Sequence, residues 1–377
     1  MGCVRFFWNQ QVASFLSYKK NEVSAFQWNS TETRGKFDWM REVSAGAIQQ
    51  KDRDFQEFKR QFFSKTRKKK IGKPKFKKKS SRGSYRLPDR KFKLLNHAFR
   101  LEKVGVVKAV IDRRPPKGAK HISVTISRDC AGAYFVSLLT ESEEPKIQIP
   151  DQAVGVDLGL THFATLSSGG KIENPRYLRK SQAKLKKAHR RLSRKVKGSR
   201  RHAKAKLRVA RMHRKVANQR NWFHHDLSSK LSKSYSTICI ESLAVANMVK
   251  NRRLAKAISD AGWSQFCDFL TYKSERVVRV GQFFASSKVC SSCDCKTNQT
   301  LTLKVRNWTC ETCFAMHDRD FNASVNILKE GLSTAQGVAC ALRIPSLNKT
   351  LASTAQAGSA TAIGVEESKK QFSHFSM

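Results

Sequence analysis

Apolar positions in the first sixty or so residues fall at helical intervals. Phe7, Val12, Phe15 and Leu16 share one face, and "DWMREVSAGAIQQKDRDFQEFKRQFF" continues with few breakers, so residues 1–62 read as helical. From residue 103 to 141 the pattern becomes β-like. "VGVVKAVI", "HISVTISR" and "AYFVSLLT" are short β-branched runs parted by "RRPPKG" and "DCAG" turns, which suits a small antiparallel sheet or half barrel. A linker, "ESEEPKIQIPDQ", leads to "AVGVDLGLTHFATLSSGGKI", read as a two-stranded hairpin with residues 167–170 at its turn. Leu178, Leu185 and Leu192 then repeat at seven, with Ala188 and Val196 filling the face. Gly198 and Ser199 interrupt before Ala203, Leu207 and Ala210 resume, which predicts an αα-hairpin. "TICIESL" is a buried strand, "DAGWSQFCDFLTYKSE" an amphipathic helix, and "VVRVGQFFASSKVC" leads into a cysteine-rich region. Beyond Leu332 the chain is rich in Ser, Thr and Ala, and little fixed structure is expected past residue 350. No internal repeat is evident.

Charge changes the picture more than composition does. The 377 residues suggest two or three domains, and 40% hydrophobic residues suffice for real cores. Against 29 Asp and Glu stand 74 Lys and Arg, a net charge of +45. Such an excess calls for an anionic partner, and polyphosphates serve best, because each neutralised phosphate releases a condensed counterion. A ribosome-like RNA binder is the plain reading. A membrane surface fits less well, since no long basic amphipathic helix with an aromatic face is present. Nor does any run approach the roughly 18 apolar residues of a span. "SKTRKKKIGKPKFKKKSSRGSYR" reads as an extended or mobile phosphate-contacting loop. Between Glu173 and Asp226 there are twenty Lys and Arg and no acidic residue. A solvated helix face normally mixes signs, so one sign over this length favours a nucleic acid. The N-terminus lacks the layout of a secretion signal, and Phe6 stands where a myristoylation signal wants Ser or Thr. Of ten cysteines, four form two C-x-x-C pairs, which is metal usage in a reducing compartment. A cytoplasmic, nucleoid-associated protein is expected.

Two constellations carry chemistry. Cys290 and Cys293 are followed after 16 residues by Cys310 and Cys313. Each pair bends the chain so that two thiolates face one point, and two such knuckles complete a tetrahedral shell for zinc. Four thiolates leave no open position, so this site is structural. Cys295 lies close enough to compete with Cys293, and His317, which could equally be a surface histidine, is assigned no role. The second set is dispersed. Asp157 ends the strand "AVGVD", Glu241 ends "TICIE", and Asp320 stands just before the helix "NASVNIL". Singly, a turn with Gly159, a salt bridge and a helix cap would explain them. Together, two at the ends of buried strands and one before a helix that packs across them, three hard carboxylates suit Mg²⁺ or Mn²⁺. Two such ions about 4 Å apart would serve in-line attack on a phosphodiester. Asp318 is the better candidate for a cap or supporting partner.

These residues resemble those of the TnpB (OrfB) proteins of insertion sequences, relatives of the type V CRISPR nucleases. "GVDLGLTHFATLSSGG" resembles the first RuvC motif, "ICIESLAVANMVKN" the second and "DRDFNASVNIL" the third, with the cysteine pairs just before it. "REVSAGAIQQ", "RGSYR", "VANQRNWFHHDLS" and "YKSE" also match in place. The resemblance implies an α+β multidomain protein: an N-terminal helical and small β-barrel lobe, then an RNase H-like (RuvC) nuclease with an inserted zinc ribbon. The expected division is a helical recognition region at 1–102 with a basic loop at 63–86, and wedge-like barrel strands at 103–148. The nuclease follows at 149–285 with its basic hairpin at 175–220, then the ribbon at 286–316, the last nuclease part at 317–331 and a largely disordered tail at 332–377. Asp157, Glu241 and Asp320 would be the metal-binding catalytic triad. The implied partners are a guide RNA from the transposon end and target double-stranded DNA, read beside a short adjacent motif and then cut. Basic residues of the hairpin would grip the RNA–DNA heteroduplex by its backbone while pairing supplies specificity.

Three departures stand out. Relatives carry a further strand-forming segment before "GCVRFFWN", and its loss would open one edge of the barrel. Family knuckles place Gly after the second cysteine, where Asp294 and Phe314 stand here. "YKSERVVRVG" is a few residues shorter than the usual connection. The competing reading is an RNA-guided DNA-binding protein that has lost cleavage, against which all three carboxylates are present. A transposase that joins strands itself lacks support, because no separate tyrosine-nucleophile domain is found.

Overall fold

A computed structural model describes residues 1–18, 29–64, 71–79, 83–112, 114–143, 149–282, 284–299 and 305–336 of the chain. The N-terminal lobe holds helices α1 (Gly2–Tyr18), α2 (Ser30–Lys36) and α3 (Ala45–Phe63), with a 3-10 turn at Asp38–Glu42 between the last two. Six strands follow: β1 (Gly83–Pro88), β2 (Phe92–Leu94), β3 (Ala98–Leu101), β4 (Gly105–Lys108), β5 (Lys120–Arg128) and β6 (Tyr134–Glu141). They pair as two antiparallel three-stranded sheets, β1-β5-β6 and β2-β3-β4, rather than as one half barrel. Strand formation therefore begins at Gly83, inside the stretch read as helical region and basic loop. One core joins both sheets to the helices through Val4, Phe7, Met40, Ile48, Leu87, Phe99, Leu101, Val124 and Ile126. Part of the basic loop at 65–70 and 80–82 lies outside the described residues. The described part is extended along α1, where Trp8 Nε1 donates to Lys75 O at 3.1 Å and Lys77 N donates to Asn9 Oδ1 at 2.8 Å.

The second lobe is built on a five-stranded sheet. Strands β7 (Ala153–Leu158), β8 (His162–Leu166) and β9 (Lys171–Glu173) form an antiparallel meander. The predicted turn at 167–170 is thus present, but it joins the second strand to a third. Helices α4 (Tyr177–Ser193) and α5 (Arg200–Ser234) form the basic hairpin, with the Ser199 side chain capping α5 through His202 N. Its seam runs through Leu185, Ala188, Val209 and Val216. Val196 is 78% exposed and Ala203 is also exposed, so these two expected seam positions lie off the seam, while Leu207 and Ala210 are half-buried.

Strand β10 (Thr237–Glu241) then pairs parallel to β7. After the short α6 (Val245–Met248) come α7 (Ala255–Ala261) and α8 (Trp263–Lys273), separated by Gly262 at φ +68°. The predicted single helix from Asp260 is broken there. Strand β11 (Arg276–Val280) adds parallel to β10, giving the order β11-β10-β7-β8-β9. A two-stranded ribbon, β12 (Asn307–Thr309) with β13 (Met316–Asp318), precedes the last helix, α9 (Arg319–Gln336). That helix runs five residues past the predicted end at 331; the tail from residue 337 lies outside the described residues.

Alternation along the strands decides what each face receives. Val154, Val156, Ile238 and Ile240 point to one side, into a core with Leu227 and Leu231 of α5, Ile258 of α7 and Phe266 and Leu270 of α8. Gly155 and Cys239 face the other side, towards α9. A Cβ added to Gly155 would lie 2.0 Å from Ser324 O, and one added to Gly331 of α9 would lie 2.5 Å from Cys239 Sγ. Only glycine at these two points lets helix and sheet approach so closely. Among the described residues, no helix is long and apolar enough to cross a membrane.

Candidate active site and metal centre

The close packing of α9 places its N-terminus over the C-terminal ends of β7 and β10. Asp157 is the penultimate residue of β7 and Glu241 the last of β10. Each lies two positions beyond the residue that touches α9, so both side chains emerge on the α9 face. Asp320 is the second residue of α9, in its first turn rather than ahead of it. The helix starts earlier than its apolar period suggests because Asp318 Oδ1 accepts from Phe321 N at 3.0 Å, the cap expected of that residue. Lys171 Nζ holds the other Asp318 oxygen at 2.7 Å.

The three carboxylates act on one another. Burial, then the negative charges of Glu241 and Asp320, push the Asp157 carboxyl from 3.8 up to about 8, against the opposing pull of Arg319 and Arg306. Glu241 Oε1 accepts a short hydrogen bond from Ser286 Oγ. Arg306 Nη1 donates to both Asp320 oxygens at 3.2 Å, while its Nη2 reaches Thr161 Oγ1 at 2.8 Å in the β7–β8 turn. Sequence reasoning missed Arg306 and Ser286. One more arginine in so cationic a chain carries no signal, and a lone serine carries less. A carboxyl raised this far by burial and then by like charges is what a divalent cation relieves, and oxygen donors of this hardness suit Mg²⁺ or Mn²⁺. The oxygens do not form a tight cage: among the described residues the set that brings all its donor atoms within 4.8 Å of one another is the four thiols.

Those thiols are Cys290, Cys293, Cys310 and Cys313, with Sγ separations of 3.6 Å for Cys290–Cys313 and for Cys293–Cys310. A tetrahedral zinc with Zn–S bonds near 2.3 Å asks for sulfurs about 3.8 Å apart, so the donors fit that ion. Cys295 is outside the set. Its carbonyl instead accepts from Cys290 N at 2.9 Å, closing the first knuckle. Asp294 and Phe314, after the second cysteine of each pair, adopt φ +59° and +57°, the left-handed conformation expected from the knuckle pattern. His317 is 8% exposed rather than on the surface. Its Nε2 lies 3.0 Å from Cys290 Sγ, and its ring packs on Trp308.

The chain is similar to known proteins. A family model described as "OrfB_IS605: Probable transposase" matches residues 134–252, and one described as "Cas12f1-like, TNB domain" matches residues 263–327. A "Putative RNA-guided DNA endonuclease" of Streptomyces pristinaespiralis is 38% identical over 350 residues, covering 89% of this chain and 85% of that protein. The "Putative RNA-guided DNA endonuclease InsQ" of Escherichia coli (strain K12) is 30% identical over 363 residues, covering 88% and 87% respectively. Among solved structures, a Cas12f1–sgRNA–target DNA complex aligns at TM-score 0.46 and 14% identity over 86% of this chain and 80% of that one. That superposition is too loose to add to the argument.

Proposed function

The chain belongs to the TnpB (OrfB) family, and from that premise we propose that it is an RNA-guided DNA endonuclease cutting with Asp157, Glu241 and Asp320. The observation that carries the active site is the Asp157 carboxyl, raised to about 8 by burial and by the two partner carboxylates, which makes the three one electrostatic unit. The sheet order supports an RNase H-like (RuvC) reading: an antiparallel meander of three strands with two further strands added in parallel beside the first. Divalent cations bound there would activate the attacking water and stabilise the leaving oxygen. The chain's own part is to hold the ligands. Ser286 fixes one oxygen of Glu241, the first turn of α9 sets Asp320, and Arg306 ties Asp320 to the β7–β8 turn. The four thiols would hold a structural zinc, which would staple the ribbon beside Arg306.

The hairpin of α4 and α5 offers the phosphate-binding surface. The twenty Lys and Arg between Glu173 and Asp226 suit an RNA–DNA heteroduplex gripped by the backbone, with guide pairing supplying specificity. The guide would be an RNA from the transposon end, and the workplace the nucleoid. The test is to express the chain with its flanking transposon-end DNA, purify it and sequence the RNA that accompanies it. That complex is then challenged with a randomised-motif DNA library and Mg²⁺. Defined RNA and guided cuts, both expected here, with the cuts lost in Asp320→Ala, bear the reading out. Defined RNA without cuts overturns the enzyme and leaves a guided binder.

A further inference from the structure

Asn322, Asn326 and Lys329 recur at i, i+4 and i+7 of α9, one face of the helix. Between them they reach the stretch from Ser286 to Asp294, which leads from β11 through the first cysteine knuckle. Asn326 Nδ2 donates to Ser286 O at 2.8 Å and to Val289 O at 2.6 Å. Asn322 Nδ2 donates to Val289 O at 2.7 Å, while its Oδ1 accepts from Ser291 N at 2.8 Å. Lys329 Nζ donates to Ser291 O and Asp294 Oδ1, both at 2.8 Å. The two asparagines are 0% and 2% exposed, so losing these bonds would leave amides buried without partners.

The segment they grip has chemistry at both ends. Ser286, 6% exposed, donates to Glu241 Oε1, and Cys290 is the first thiol of the cluster. A glutamate side chain has several rotatable bonds, so a carboxylate at a strand end needs outside help to hold one pose. The Ser286 hydroxyl gives that help, and Asn326 fixes the backbone of Ser286. The helix that carries Asp320 therefore also sets Glu241, through one serine, and the first knuckle, through two amides and an ammonium.

We propose that Ser286 is a positioning residue for Glu241, and that the Asn322–Asn326–Lys329 stripe couples the thiol cluster to the carboxylate site as one polar unit. This rests on reading Asp157, Glu241 and Asp320 as the nuclease centre. Ser286 holds Oε1 and leaves Oε2 for the cation. Removing it loosens cation binding without disturbing the thiols. Removing Asn326 disturbs both.

The test follows guided cutting against Mg²⁺ concentration in the full chain with its RNA, alongside zinc release to a chelator. Ser286→Ala should raise the Mg²⁺ midpoint about tenfold, the low end of what loss of a ligand's outer partner costs. Its zinc release should be unchanged, and Ser286→Thr, which keeps the hydroxyl, should restore the midpoint. Asn326→Ala should raise the midpoint and speed zinc release; Asn322→Ala should chiefly speed zinc release. If Ser286→Ala does not fold, Ser286→Cys, a weaker donor of similar size, should give the same midpoint shift. An unchanged midpoint in Ser286→Ala or Ser286→Cys, or unchanged zinc release in Asn326→Ala, overturns the coupling. A wild-type chain that fails to cut, indistinguishable from Asp157→Ala, overturns the nuclease reading instead, and zinc release in the asparagine variants then decides the grip on the knuckle.

Discussion

Asp157 and Glu241 stand side by side on neighbouring parallel strands, one position past the last paired residues of that register, Val156 and Ile240. Strands lie about 4.8 Å apart, so two carboxylates at one level on one face are near neighbours. With Asp320 facing them from α9, the arrangement is poorly satisfied until a cation joins it.

Replacing Asp157 or Glu241 by Ala should abolish metal-dependent cutting, by more than the roughly 10–100-fold expected from losing an outer partner. RNA binding should stay near wild type, because the basic hairpin is untouched. Cleavage rates and filter binding on the same preparations check both halves. Loss of RNA binding would argue against the assignment.

The pH dependence has a definite sign. The folded chain holds a proton on Asp157 up to about pH 8, whereas the ordinary value for the unfolded chain is 3.8. The stability this contributes is complete below the lower value and is lost as pH rises towards the upper one. Thermal unfolding of the zinc-loaded, Mg²⁺-free protein should therefore show a midpoint falling across that window. Asp157→Asn should flatten this part of the slope, and Mg²⁺ should reverse the fall near pH 8.

Gly155→Ala should destabilise the nuclease lobe by on the order of 1–3 kcal/mol, the usual cost of overpacking. The new methyl would sit 2.0 Å from a helix carbonyl, and backbone cannot step aside as a flexible side chain can. Denaturant unfolding measures the loss. Because α9 must shift, cutting should fall further than stability alone explains.

Phe314→Gly should do the opposite. Phe314 sits at φ +57° with 77% of its surface exposed, so the substitution loses little packing and relieves left-handed strain of about 1 kcal/mol. Zinc release to a chelator should slow roughly fivefold. Asp294→Gly should gain nothing comparable, since Asp294 tolerates the conformation and holds Lys329 at 2.8 Å.

Nucleic-acid affinity should fall steeply with salt. Replacing exposed Lys187 and Arg190 by Ala should reduce the slope of log affinity against log salt by about 1–2 in total if both meet phosphates. Titrations at several ionic strengths give that slope directly.

Much of this was legible in the residues. Paired thiols at ribbon spacing, carboxylates closing apolar strands and a one-sign helical hairpin are local patterns, and local patterns survive in sequence. Strands β1 to β3 were hidden because "YRLPDRKFKLLNHAFRL" alternates weakly under heavy charge. The start of α9 was misplaced because "HDRD" has no apolar period; a side-chain cap decides it instead. Arg306 and Ser286 owe their roles to neighbours far along the chain, 14 and 45 residues away. His317 is given no role by its sequence, since nothing local announces the thiol and indole that enclose it. The polar stripe of Asn322, Asn326 and Lys329 was within reach: donors at i, i+4 and i+7 of an otherwise apolar helix ask what they bind.

The order of ligands along the chain has its own consequence. Asp157 and Glu241 are made early, and α9 brings Asp320 only after the ribbon has intervened. From 241 to 320 is 79 residues. At roughly 5–20 residues per second, a ribosome takes about 4–16 s to cover them. Throughout that interval the nascent polypeptide owns two thirds of a blade and no edge. On the proposed three-carboxylate centre, a chain made only this far lacks one acidic side chain needed for cutting, and translation that aborts before α9 should release an inactive fragment.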